Sequence, residues 1–185
     1  MLKWFVSVLI SLPVFAQTTA PPPPATVTKI PLSADLVLSP DFCAPKTRPA
    51  LGRNSVLCTQ IAAALEGVFS RITRVNQAPA PGNHSAQLVL IPRLVDMNTT
   101  QPFFGSSQSQ LVLLVEWTIQ DASGRPIWLQ TVEGTSHHKM GWFFRGKNQA
   151  IMTEAAVDEL AKASRMKILT APELRQRPEH PAPGG

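Results

Sequence analysis

Gln110 to His138 reads QLVLLVEWTIQDASGRPIWLQTVEGTSHH. Its first half alternates strictly. Leu111, Leu113, Val115, Trp117 and Ile119 fall on one face, and Val112, Leu114, Glu116, Thr118 and Gln120 on the other. A period of two with β-branched and aromatic residues describes a half-buried strand. Asp121-Ala122-Ser123-Gly124-Arg125-Pro126 then supplies turn chemistry, with glycine for positive φ and proline as the residue that opens the next strand. Ile127 to Val132 extends again, so the unit is a hairpin. A lone hairpin is marginal in water. The rest of the chain must therefore cover its apolar face.

Upstream, Ala86 to Asp96 (AQLVLIPRLVD) is continuously apolar, as in a strand buried on both faces. Pro92 cannot donate to a ladder and marks a bulge or an edge segment. A polar loop follows that carries Phe103-Phe104-Gly105. Further upstream, Asn54 is a helix cap, and Val56, Leu57, Ile61, Ala64, Leu65, Val68, Phe69 and Ile72 recur at helical spacing. That stripe predicts one long helix ending near Thr73. Leu36-Val37-Leu38 before Ser39-Pro40 reads as the first strand, and Asp41 to Arg53 as a loop. Downstream, Gln149 to Ser164 makes a second helix. Met152, Ala156, Leu160 and Ala163 form its apolar face, and Glu154, Asp158 and Lys162 its charged one. The order strand, helix, strand, strand, strand, helix predicts an α+β two-layer sandwich. Its sheet is about four-stranded and mostly antiparallel, with two helices on one face, over residues 34–165.

The ends of the chain have a different composition. Residues 1–16 combine Lys3, an apolar run too short to span a bilayer, Pro13 and a terminal Ala16. This is the pattern of an export signal cut before Gln17. A lipoprotein would place cysteine directly after the cut, so no lipid anchor is expected. Residues 17–33 form a proline-rich linker that includes four consecutive prolines, and residues 166–185 are expected to be a disordered tail. Export makes the protein periplasmic or secreted. Cys43 and Cys58 are the chain's two cysteines. An even count in an exported chain favours a disulfide, which would close about 15 residues and contribute about 3 kcal/mol. The alternative is a pair of buried thiols, with Cys58 beside Leu57 and Ile61 in the core.

The net charge of +5 comes from scattered basic residues, without a run that alternates with stacking aromatics. Nucleic acid is not an expected partner. Catalytic signatures are missing as well. No G-x-S-x-G, H-E-x-x-H or phosphate-cradling glycine loop occurs. Adjacent residues on a strand point to opposite faces. Ser136 and His137 therefore diverge, as do His137 and His138, and neither pair can act on one atom or ion. No catalytic residue, metal ligand or cofactor is assigned.

Three stretches together resemble a known group of proteins. They are LGRNSVLCTQIAAALEGVFSRITRV, AQLVLIPRLVDM and the strand pair V-E-W-T-I-Q-D-x-x-G-R-P-I-W. Their layout is similar to the small exported α/β domains of bacterial envelope proteins. Examples are the auxiliary lipoproteins of ABC-type transporters and the N-terminal domains of TolB and of the curli secretion channel. The resemblance implies a non-enzymatic binding or assembly role at the cell envelope. Two other classes stand beside it: a small secreted hydrolase using loop residues such as Ser106, His137 and His138, and a structural domain associated with the cell wall.

One segment draws attention as a binding element. Met140 to Lys147 reads MGWFFRGK, with Trp142, Phe143 and Phe144 in a row and Arg145 beside them. Three consecutive aromatics are unusual in a connecting segment. Aromatics rimmed by Lys139, Arg145 and Lys147 suit an envelope partner protein or an anionic membrane surface. The competing reading folds Trp142 and Phe144 back to close the core.

Overall fold

The computed structural model describes residues 28–46, 51, 56–82, 85–100, 108–139 and 145–175. Five strands form one sheet: β1 (Ile30–Val37), β2 (Phe69–Val75), β3 (Leu88–Thr100), β4 (Gln108–Asp121) and β5 (Pro126–Lys139). Four described helices accompany it: α1 (Pro40–Cys43), α2 (Val56–Leu65), α3 (Arg145–Thr170) and α4 (Pro172–Arg175). The strand order is β2-β1-β3-β4-β5. β1 runs parallel to both β2 and β3, while β3, β4 and β5 form an antiparallel meander. The class is α+β, as the hairpin predicts, but the sheet is mixed and has five strands.

The extra strand comes from the stretch expected to finish the long helix. That helix stops at Leu65, and Gly67 follows at φ +82°. A residue in this left-handed conformation closes a helix, and glycine takes it without a Cβ penalty. Phe69 to Val75 then pairs with β1. Val68, Phe69 and Ile72 continue a spacing of three and four only by coincidence. Ile30 N–H donates to the Val68 carbonyl at 2.7 Å and brings the new strand alongside. The expected loop after β1 also holds a helix turn. Ser39 caps α1 by accepting from Phe42 N–H, and Pro40 fits its first position.

Regular elements reach past 34–165 at both ends. β1 starts at Ile30, α3 continues to Thr170 and α4 ends at Arg175. The expected export signal, most of the expected linker and the residues after Arg175 lie outside the described residues.

Both helices pack on the same face of the sheet. Leu57, Ile61 and Leu65 of α2 and Met152, Ala156, Leu160 and Ile168 of α3 share one core with Leu32, Leu36, Leu90, Leu113, Val115 and Trp117. Three contacts fasten α3. Trp117 Nε1 donates to Ser164 Oγ at 3.0 Å, Ser136 Oγ donates to the Met152 carbonyl at 2.7 Å, and Lys167 Nζ donates to the Thr131 carbonyl at 3.0 Å. Gly134 lets the helix settle: a Cβ there would sit 2.3 Å from the Ala156 carbonyl oxygen and 2.6 Å from Leu160 N.

The opposite face is covered over β1. The β1-to-β2 crossover moves one way across the sheet and the β2-to-β3 crossover moves back. Crossovers between parallel strands are right-handed, so these two must lie on opposite faces. The first carries α1 and α2. The second, through residues 76–82 and 85–87, crosses the far side. Asp35, Val37 and Val89 are buried there although they point away from the helices. Gln87 N–H donates to Ser33, and Ser33 N–H donates to Gln87 Oε1 at 3.0 Å.

Candidate functional site

Pairing register defines the two ends of the molecule. Thr100 faces Gln110 and Gln108 faces Lys139. The chain between β3 and β4, which carries Phe103 and Phe104, and the chain between β5 and α3, which carries Trp142, Phe143 and Phe144, are thus attached to one end of the sheet. Those five aromatic residues lie outside the described residues. Arg145 begins α3. At the other end, Arg175 Nη2 donates to the Thr28 carbonyl at 3.3 Å, and its Nε donates to the Leu169 carbonyl at 2.7 Å. The first and last described residues therefore meet at one pole, and the aromatic segments are attached at the opposite one.

Between the poles, the face of β3, β4 and β5 turned away from the helices carries Ile91, Val112 and Leu114 half-buried. Val95 is 49% and Leu129 57% exposed on β3 and β5. Arg93 Nη2 meets Glu116 Oε1 at 2.8 Å across this surface. A groove of about 320 Å³ runs between α2 and α3, with Ala63, Ala64 and Ala161 as floor and Gln60, Asp158, Lys162 and Arg165 around it. Hydrogen bonds from Lys162 to Asp158, and then to Glu159, raise its pKa and keep its ammonium charged. The charge is thus largely answered within α3 itself.

Cys43 and Cys58 form a disulfide, with Cα atoms 5.2 Å apart, that ties α1 to α2. Among the described residues no group of three His, Cys, Asp or Glu side chains could hold a metal ion. Ser136 is buried and spends its hydroxyl on the Met152 carbonyl, while the neighbouring His137 is exposed. The two do not meet, for the strand-geometry reason given above. Ser106 lies outside the described residues.

Sequence reasoning missed the shared attachment of the two aromatic segments and the meeting of Thr28 with Arg175. Both depend on register and strand length across the meander. The polar, turn-forming composition between Met97 and Ser109 carried the nearest signal, because it implied a second hairpin ending beside the first.

No protein-family model and no curated protein matches this chain. Among solved structures it is similar to a Xanthomonas campestris protein of the DUF330 family, at 11% identity and a TM-score of 0.51, over 77% of this chain and 86% of that one. It is also similar to a minor lipoprotein from Acinetobacter baumannii, at 20% identity and a TM-score of 0.48, over 74% of this chain and 90% of that one. A third is lipoprotein B from Nitrosomonas europaea, at 15% identity and a TM-score of 0.46, over 82% and 88%. The first of these shares its overall fold with this chain. No helix in the described residues is long and apolar enough to cross a membrane.

Proposed function

We propose that this protein is an exported, non-enzymatic binding or assembly module of the bacterial cell envelope, acting in the periplasm or outside the cell. The two-pole layout carries the reading. Thr28 and Arg175 meet at one end, and the segments with Phe103-Phe104 and Trp142-Phe143-Phe144 are attached at the far end. A domain held by proline-rich flanks at one pole can present aromatic residues at the other. The export pattern of residues 1–16 supports the compartment. The finer kinship, with auxiliary proteins of ABC-type transporters, belongs to the same proposal. The partner is an envelope protein or an anionic membrane surface, contacted by Trp142, Phe143 and Phe144 with Arg145 on the rim.

Replacing Trp142, Phe143 and Phe144 with serine tests the assignment. The variant should keep its melting temperature within a few degrees and lose co-sedimentation with envelope fractions or anionic vesicles. A large fall in melting temperature would place these rings in the core and remove the proposed contact.

A further inference from the structure

Among the described strands β5 stands at the edge of the sheet, and its two halves are treated differently. The first half is blunted. Pro126 opens it, the register shifts between Ile119 and Gln120 so that Ile127 is extra, and Lys167 Nζ occupies the Thr131 carbonyl. The other exposed backbone is blunted too. The pairing of β3 with β1 ends at Leu90, and beyond it β3 carries Pro92, Arg93 and a bulge between Leu94 and Asp96. Asp96 Oδ1 also accepts from Met97 N–H at 2.7 Å. β2 is short and carries Arg71 and Arg74. Proline, bulges and charged groups are the devices by which edges avoid pairing. From Val132 to Lys139 the register with β4 is regular, and no proline or bulge interrupts it.

The direction of the open groups follows from Thr131. Its carbonyl points out of the sheet, where Lys167 reaches it. In an antiparallel strand the N–H and C=O of one residue point the same way, and the sense alternates. Glu133, Thr135, His137 and Lys139 therefore turn both backbone groups outward. Ser136 stands at the middle of this row.

We propose that the occupant of this edge is a second copy of the chain, its β5 antiparallel to the first about a two-fold axis at Ser136. Pairing about that point sets Glu133 opposite Lys139 of the partner copy and Thr135 opposite His137 of the partner copy, twice over. Acid opposite base is favoured on paired strands, and all four outward residues find partners, for about eight main-chain hydrogen bonds. Moving the centre to Glu133 would set acid against acid. Moving it to Gly134 would need the Thr131 carbonyl that Lys167 already holds. The two sheets become one of ten strands, with both α3 helices on the same face.

Sedimentation of the exported protein over a concentration series should show a reversible dimer. Glu133→Lys puts base opposite base and should shift the protein to monomer, with its melting temperature unchanged at concentrations where the unaltered protein is also monomeric. Adding Lys139→Glu should restore the dimer. Hydrogen exchange on the unaltered protein gives a second reading. The amides of Glu133, Thr135 and His137 should be protected at high concentration and exchange freely on dilution. Leu129, outward-facing in the blunted half, should exchange alike at both. A monomer at all concentrations, a ring of higher order, a dimer indifferent to Glu133→Lys, or amides that ignore concentration would each overturn the proposal.

Discussion

Gly134 has no room for a side chain, because the backbone of α3 lies on it. The obstruction is a carbonyl oxygen and an amide nitrogen, which cannot rotate aside as a flexible side chain could. Gly134→Ala should therefore cost more than ordinary overpacking, about 3 kcal/mol or above, read from urea denaturation midpoints. An unchanged midpoint would mean that the helix is not seated there. The Trp117–Ser164 bond offers a second test. Trp117 is fully buried, so removing its acceptor strands an indole N–H. Ser164→Ala should cost about 1–3 kcal/mol. Trp117→Phe deletes the donor, and in that background Ser164→Ala should be nearly neutral. Leu65→Ala, by contrast, should lose about 2–5 kcal/mol by leaving a cavity. The burial of Trp117 and Leu65 was readable from alternation and from helical spacing. The glycine contact was not, because nothing along the chain announces which residue of a distant helix will cross a strand.

Among the elements, β4 and the turn after it were the most legible, because every local signal agrees. Asp121 accepts from Ser123 N–H at 3.0 Å and from Arg125 N–H at 3.1 Å, and Gly124 takes φ +80°. β2 was read as helix because apolar residues three and four apart fit a helix as well as a strand whose outer residues are half-buried. Gly67 was the punctuation that separated the two, and Gly67→Ala should cost about 1 kcal/mol at that left-handed position. Pro92 was legible as an edge signal, and the pairing of β3 with β1 ends at Leu90, just before it. The bulge falls a few residues later, before Asp96. For the disulfide, the sequence left two readings open, and the structure has the bond. Replacing Cys43 and Cys58 with serine should lower stability by about 3 kcal/mol, since 15 residues separate the pair. Thiol labelling of the denatured, unreduced protein should find no reactive cysteine.

At the scale of the whole molecule, the candidate site was legible only as residue types. Trp142, Phe143 and Phe144 stand out by composition, but the end of the fold they join depends on how far β3, β4 and β5 run together. The meander fixes that end through long-range pairing, and the contact of Arg175 with Thr28 fixes the other. These distances can be measured. β1 and β3 are parallel, with Ala34 beside Leu88. Thr28 lies upstream of Ala34 and Thr100 downstream of Leu88, so the two sit at opposite ends of the sheet. At about 3.3 Å per residue, less the shortening from twist and bulge, they are roughly 50 Å apart. α3 runs alongside as a rod of about 39 Å. Spin labels at Thr28 and Thr100 should therefore report a long distance, whereas labels at Thr28 and Arg175 should report one near the short limit of the method. A short distance for the first pair would place the aromatic segments beside the flanks. The tethered, outward-facing arrangement behind the proposed function would then be lost, even with the fold intact.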